Sequence, residues 1–530
     1  MRYSYPPCSQ QQKSSMSHKL LKSTLIVSSM TLISRFLGFM RDIILAAFFG
    51  ASPSFDAFLV AFKIPNFIRR LFGEGAFTQA FVPVLTEYQA HRSKKEVHQF
   101  INALVGSMSV ILIVIIALTE IIAPLIIMVF APGFVRDPVC LTYAIHMLRI
   151  ISPYLLLIAL TAFSGATLNT FNRFAIPAFT PALLNAAMIA VVWFLAPHVS
   201  IPIYVLAWSV LVGGFLQLVT QLPFLYHLGL LPIPKWKWHD PGVIRVLKLM
   251  IPALFGVSIA QISLLIDNFF ASFLAAGSIS WLYYSDRLTY LPLGVIGATL
   301  ATVVSPNLSR YHILKSTSAY SATLDWALRM TVLIGIPSAV ALFILAGPLL
   351  ATLIYHGAFM VHDVLMTQRS LWAFSVGLPS FMLVKILASA FYSSQNIKTP
   401  VKIAIVAVGA NLILNVLLIH PFAYMGLALA TSLASTFNAG LLLYVLLRRS
   451  ICRLSSNWSK LIFQSVVGNF MMGFVIVWFS GDMGRWLAWS VKERIWHLLA
   501  VILLGFFTYL VTLWISGLRL SDLRPSIIID

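Results

Sequence analysis

Charged side chains are scarce in this sequence: Asp, Glu, Lys and Arg make up 10% of its 530 residues, whereas hydrophobic residues make up 59%. A soluble domain carries about 25% charged residues, so this composition excludes an ordinary soluble protein. Cysteine is rarer still, with three widely separated residues and no CxxC pair. The sequence therefore predicts neither a disulfide framework nor a zinc site.

Long apolar runs fill most of the chain, and IWHLLAVILLGFFTYLVTLWI is one example. A hydrocarbon core of roughly 30 Å needs about 20 apolar residues as a helix, and these runs lack the alternation of a transmembrane β-strand. The predicted fold class is an all-α integral membrane protein. We expect fourteen transmembrane helices, at about 21–49, 53–90, 98–130, 139–170, 175–196, 201–229, 243–275, 279–311, 321–354, 364–393, 399–420, 423–448, 458–480 and 493–517.

The few charges are unequal in sign, with 36 Lys and Arg against 16 Asp and Glu. In a soluble protein this excess would favour nucleic acid as a partner. Here it concentrates in alternate loops such as HRSKKEVH and RRSICRLSSNWSK, although the outer loop GDMGRWLAWSVKER is an exception. By the positive-inside rule the basic loops are cytoplasmic, which predicts cytoplasmic termini, a multi-pass topology and no nucleic-acid partner.

An internal repeat divides the chain. PVLTEY at 83–88 recurs as PNLSRY at 306–311, and FNRFAIP at 171–177 recurs as SQNIKTP at 394–400, both 223 residues later. An offset that covers six segments predicts two parallel lobes that handle a substrate between them, unless the matches reflect only the general likeness of helix ends. The predicted domains are a polar N-terminal extension (1–19), an N-lobe (20–235), a C-lobe (236–450), and two further helices with a tail (451–530).

Ions interrupt the first two segments, where a charge at mid-bilayer costs roughly 2.5–3.5 kcal/mol on insertion scales. Arg35 and Asp42 are seven residues apart, a spacing that puts both on one helix face. The second segment carries a similar stripe, formed by Asp56, Lys63, Arg70 and Glu74. The first helices of the second lobe add Asp267, Asp286 and Arg287. We expect these side chains to face a cavity between the lobes.

Arginine is in excess of acid in this group. A guanidinium is planar, always charged and forked, which suits bidentate binding of phosphate oxygens. Arg35, Arg41, Arg69 and Arg287 therefore predict an anionic substrate such as a diphosphate. For Asp42, Asp56, Lys63 and Arg70, structural ion pairs or side chains that extend to the membrane surface remain the alternative.

A second polar group predicts a cation site. Asn411 and Asn415 lie four residues apart on the eleventh segment, and Thr431 lies on the twelfth. With Asp267 they offer carboxylate, amide and hydroxyl oxygens, the ligands that a small hard cation prefers. Hydrogen bonding between helices by the same amides is the alternative.

Several stretches closely resemble the MurJ (MviN) family of lipid II flippases, within the multidrug/oligosaccharidyl-lipid/polysaccharide exporter superfamily. They include SSMTLISRFLGFMRD, DAFLVAFKIPNFIRRLFGEGAFTQAFVPVL and YSSQNIKTPVKIAI, and the likeness runs from about Leu20 to the C-terminus. The resemblance implies a V-shaped, two-lobed protein of fourteen helices around a cationic cavity. It also implies substrate-binding roles for Arg35, Arg41, Asp42, Asp56, Arg69, Glu74, Asp286 and Arg287.

The resemblance implies movement of undecaprenyl-diphosphate-linked disaccharide-pentapeptide to the outer leaflet of the bacterial inner membrane by alternating access. No cofactor is expected; a sodium or proton gradient or the membrane potential drives transport, and contacts with cell-wall synthesis machinery are an expectation. A sodium site would map to Asp267, Asn411, Asn415 and Thr431, but position 415 is an amide where a carboxylate would bind the cation more strongly. The rivals are a flippase for another polyprenyl-linked oligosaccharide, a drug exporter and a membrane glycosyltransferase.

Overall fold

The computed structural model describes residues 10–73, 76–455 and 457–519, and throughout this part the regular secondary structure is helical. The first nine helices are α1 (Gln10–Phe49), α2 (Pro53–Gly73), α3 (Ala76–His91), α4 (Lys94–Phe130), α5 (Pro138–Ile151), α6 (Tyr154–Thr170), α7 (Ala175–Leu195), α8 (Pro202–Leu228) and α9 (Pro241–Ala271). The remaining nine are α10 (Ser278–Pro292), α11 (Ala298–Ile313), α12 (Thr317–Ile344), α13 (Ala346–Leu353), α14 (Val361–Ser393), α15 (Lys398–Arg448), α16 (Trp458–Ser480), α17 (Met483–Ala488) and α18 (Val491–Ile515).

Nine helical spans in the described residues are long and apolar enough to cross a membrane, and a tenth arises if the bent pair α5–α6 counts as one. Their outer faces are apolar as well: Ile121, Phe470, Trp478 and Trp514 each expose more than 70% of their surface. Apolar faces of this extent mark contact with lipid rather than water. The prediction of an all-α, multi-pass membrane protein is confirmed.

Local breaks interrupt several of these helices. Within α15, Ala423 has φ 49° and ψ −131°, a backbone conformation that ends one helix and starts another. Pro421 precedes this break and removes one backbone donor from the helix. The interruption lies where the sequence predicts a boundary, between 420 and 423. Pro65 lies inside α2, where its ring removes one backbone donor from the helix.

The chain divides into two compact units. Unit 1 comprises 1–45, 57–127 and 138–258, whereas unit 2 comprises 46–56, 128–137 and 259–530. The core of unit 1 joins α3, α4, α6 and the start of α9 around a cluster of phenylalanines. In it, the ring of Phe81 lies 5.2 Å from Phe77 and 5.0 Å from Phe163, centroid to centroid.

Unit 2 uses small residues where its helices cross. A Cβ placed on Gly377 of α14 would lie 2.5 Å from Oγ of Ser432 in α15. That hydroxyl donates a 2.7 Å hydrogen bond to the carbonyl oxygen of Ala373. Close backbone approach and hydrogen bonds of this kind hold membrane helices together, because lipid offers little hydrophobic drive for their association. The C-terminal helices join the same unit, since Tyr509 in α18 donates to the carbonyl of Leu333 in α12.

Candidate functional site

Arg41 is the most confined of the predicted arginines. It lies in α1 with 8% of its surface exposed. Its Nη2 and Nε donate to Oδ1 of the adjacent Asp42 at 2.6 and 3.0 Å, and its Nη1 donates to Oδ1 of Asn185 in α7 at 3.0 Å. Asn185 in turn donates through Nδ2 to the carbonyl of Ser34. The guanidinium is therefore held in one orientation by a carboxylate and an amide, with its charge partly balanced.

Arg41 and Arg69 share a neighbour, since both lie near enough to Tyr154 for their charges to act on its hydroxyl. Tyr154 is fully buried, and in the described part of the chain its hydroxyl makes no hydrogen bond. Arg69 donates through Nε to Oδ1 of Asn66, 2.7 Å away. Arg41 and Arg69 thus both belong to unit 1 with their guanidinium groups on different partners, whereas Arg35 is an exposed residue of α1.

Asp56 has a different environment from the one the sequence suggests. Its carboxylate caps the start of α10: Oδ2 accepts from the backbone nitrogen of Gly277 at 2.6 Å, and Oδ1 accepts from the backbone nitrogen of Ser280 at 2.8 Å and from the Ser280 hydroxyl. The side chain is 3% exposed. A carboxylate at a helix N-terminus satisfies otherwise unpaired donors. Its observed contacts are with α10.

The remaining predicted substrate residues lie in α10 or outside the described region. Arg287 is half-buried, with its guanidinium 4.8 Å from the centre of the Tyr283 ring, and Asp286 is also half-buried. Tyr283 thus offers the cation a π-face in place of hydration. Glu74 lies outside the described residues, and so does the side chain of Arg70.

The four residues predicted as a cation site lie together in unit 2. Asn415 donates through Nδ2 to Oδ1 of Asp267 at 3.0 Å and to Oδ1 of Asn411 at 3.3 Å. Thr431 donates to Oδ2 of Asp267 at 3.2 Å, and its hydroxyl accepts from Nδ2 of Asn411 at 3.4 Å. The side chain of Asp267 near the end of α9 thus contacts both halves of α15, through Asn415 before the break at Ala423 and through Thr431 after it.

The chemistry of this group fits a hard monovalent cation. All the candidate ligand atoms are oxygens, and Oδ1 of Asn415 is buried without a hydrogen-bond partner in the described part of the chain. A soft or transition metal would favour sulfur or imidazole ligands instead. Across the described residues, no group of three His, Cys, Asp or Glu side chains is arranged to hold a metal ion. Sodium binding here stays a prediction.

Sequence reasoning missed three partners of the predicted residues: Asn185, Tyr154 and Ser280. Asn185 was detectable in principle, because a lone amide in the apolar run LLNAAMIAVVW needs a polar partner. No short-range pattern marked the other two, since their relevance arises from contacts with distant segments.

The comparisons with known proteins agree with each other. The family model described as "Lipid II flippase MurJ" matches residues 45–498. A probable lipid II flippase MurJ of Vibrio cholerae is 43% identical over 518 residues, covering 96% of this chain and 99% of the relative. A lipid II flippase MurJ of Burkholderia cenocepacia is 39% identical over 515 residues, covering 95% and 99%.

Solved structures give the same result at the level of the fold. A structure described as lipid II flippase MurJ in an inward closed conformation has a TM-score of 0.79 and 29% identity, covering 93% of this chain and 98% of its own. An inward-facing multidrug resistance MATE family transporter of the MOP superfamily has a TM-score of 0.65 at 12% identity, covering 80% and 98%. The second likeness concerns the fold alone.

Proposed function

Because this chain belongs to the lipid II flippase MurJ family, we propose that it moves the undecaprenyl-diphosphate-linked disaccharide-pentapeptide from the inner to the outer leaflet for peptidoglycan synthesis. The observation that carries this function is a likeness to named lipid II flippases along almost the whole chain. The proposal places the protein in the bacterial inner membrane with cytoplasmic termini. It works as a transporter, without catalysing a covalent reaction.

Fourteen membrane spans are part of the proposal. Ten candidate spans follow from length and hydropathy when α5–α6 counts once. The break at Ala423 divides α15 into two spans, which adds an eleventh. The last three spans of the proposal are α1, the pair α2–α3, and α9. The first twelve spans form the two lobes proposed at 20–235 and 236–450, followed by the last two helices.

We propose that the arginines bind the diphosphate. Arg41 is oriented by Asp42 and Asn185, and a pre-oriented fork loses less entropy when it binds phosphate oxygens. Arg69 and the Tyr154 hydroxyl supply a second cation and a donor nearby. A diphosphate that enters the site would compete with Asp42 for the guanidinium of Arg41. This competition would exclude lipids whose headgroup charge is too small to displace the carboxylate.

Transport by alternating access requires contacts that form in one state and break in another. We propose that the cap that Asp56 provides for α10 is one of these contacts, because it joins the first turn of α2 to a helix more than two hundred residues away in sequence. Asp267, Asn411, Asn415 and Thr431 would hold sodium, whose charge would balance the half-buried carboxylate of Asp267. A sodium or proton gradient or the membrane potential would then reset the protein.

The test is complementation. A bacterium depleted of its own lipid II flippase would receive this chain, and the leaflet that holds the lipid-linked precursor would be scored by its accessibility to an outer-leaflet enzyme. Wild-type protein should restore accessibility, whereas Arg41→Ala and Arg69→Ala should insert normally and fail. Arg449→Ala, which removes an exposed charge in the loop after α15, is the matched control. Full accessibility with both Ala variants would refute the arginine assignment, while failure of the wild type would refute the function itself.

A further inference from the structure

A groove outside the proposed transport site runs along the first three turns of α12. Its volume is about 560 Å³, within the range of small-molecule sites. One wall carries Ser321, Asp325 and Arg329, spaced four residues apart on one helix face. The other wall is the loop that links α15 to α16 and includes Arg453 and Ser455. A polar groove of this kind is unexpected in a helix that otherwise spans the membrane.

The acid in the groove is already engaged. Oδ1 of Asp325 accepts from Nε1 of Trp458 at 2.6 Å, and its Oδ2 lies 2.9 Å from Nε of Arg329. Arg453 lines the groove as an exposed residue, and the hydroxyl oxygen of Ser455 is buried with no hydrogen-bond partner in the described part of the chain. Arg329 balances the charge of Asp325, so Arg453 leaves the lining with one net positive charge. The Ser455 hydroxyl adds a hydrogen-bonding group that has no partner among the described residues.

The start of α12 adds to the positive character. Ser318 in its first turn lines the groove, where the backbone N–H groups of a helix are not used within the helix itself. Helix N-termini combined with arginines and hydroxyls form anion sites, and phosphate is the anion best matched to a forked guanidinium. We infer that this groove binds a phosphate group.

Two sources of phosphate fit the position. The topology proposed above puts the groove on the cytoplasmic side, where basic recesses between membrane helices accept the headgroups of anionic lipids. Free inorganic phosphate offers the same oxygens without acyl chains. The loop itself is fixed independently of any ligand, because the backbone nitrogen of Arg453 donates to Oγ of Ser321 at 2.7 Å. Removing the Arg453 side chain should therefore leave the loop in place.

The experiment uses the full chain in detergent. Native mass spectrometry would compare retention of phosphatidylglycerol with that of phosphatidylcholine, and thermal unfolding would be followed with inorganic phosphate against chloride at equal ionic strength. Wild-type protein should retain phosphatidylglycerol, gain stability from phosphate, or both. The Arg453→Gln variant should weaken the effect about tenfold, as expected for one charged hydrogen bond. Arg449→Gln, three residues before Cys452 in the same loop, should not.

Folding of the variants is checked at Cys452. Burial raises the pKa of this thiol to about 11, so in a folded loop it should resist alkylation near neutral pH. A response to phosphatidylglycerol alone identifies a lipid ligand, and a response to inorganic phosphate alone identifies a soluble one. Absence of both responses in the wild type, or an equal loss in both Gln variants with Cys452 still protected, would overturn the proposal.

Discussion

The cap between Asp56 and α10 makes a quantitative prediction. Asp56→Asn keeps the shape of the side chain but replaces one accepting oxygen by an amide that donates. One of the two backbone donors at Gly277 and Ser280 is then unsatisfied, at a cost of about 1–3 kcal/mol, and the two remaining hydrogen bonds lose their charge assistance, about 1 kcal/mol each. The capped arrangement should be weakened by about 3–5 kcal/mol, or roughly a hundred- to a few-thousand-fold.

Hydrogen–deuterium exchange measures this directly, because the amides of Gly277 and Ser280 are the donors. A peptide covering them should exchange faster in Asp56→Asn, while peptides from the core of unit 1 should be unchanged. Asp482→Asn is the matched control: Asp482 is an exposed acid that caps α17 through the nitrogen of Gly484, so its loss should leave exchange at 277–280 unaltered. If folded Asp56→Asn protein exchanges at 277–280 as slowly as the wild type, the cap contributes nothing to the stability of this helix start.

Three further predictions concern the cation site and packing. Asn415→Asp should strengthen sodium binding about tenfold, because it adds a negative charge to the ligands. The measurement is the rise in melting temperature when sodium replaces choline, which should be larger in the variant than in the wild type. A smaller rise in the variant would contradict the ligand role of residue 415. Arg494→Ala should lower the free energy of unfolding by about 2–4 kcal/mol, because the buried guanidinium donates to two backbone carbonyls. The control Arg485→Ala removes an exposed side chain and should change it by no more than about 0.5 kcal/mol. Equal melting temperatures of the two variants would argue against the buried contacts. Gly377→Ala should lower the melting temperature, because the added Cβ would push α14 away from α15. Gly440→Ala has no atom near its added Cβ and should raise the free energy of unfolding by about 0.5–1 kcal/mol. Equal melting temperatures of the two variants would refute the close approach of α14 and α15.

The cation group shows how far sequence reasoning extends to a site. Asn411 and Asn415 share a face because four residues are just over one helical turn, a relation that the sequence alone supplies. Their meeting with Asp267 required α9 to lie beside α15, and the hydrogen bond joins residues 148 positions apart. The prediction of proximity succeeded because polar side chains in lipid seek one another, which restricts the partners available to each.

Asp56 shows the opposite case. Its spacing from Lys63 suggests a stripe facing a cavity, yet its carboxylate lies at the start of α10. Helical periodicity gives the angular position of a side chain around the helix axis. It does not say which other element of the protein lies on that side of the helix. Arg41 is similar: its charge was visible in the sequence, whereas its restraint by Asn185 was not.

The sequence alone determined that this protein is helical, lies in a membrane and belongs with transporters that carry intramembrane charge. Those properties follow from hydropathy and charge, which are summed over local stretches of sequence and do not depend on how the chain folds. Only the tertiary structure decided which ions meet, as when Arg41 reaches an amide 144 residues away and Asp56 a serine 224 residues away. The physical reason is that a hydrogen bond requires atoms within about 3 Å, and packing of distant helices alone sets that distance.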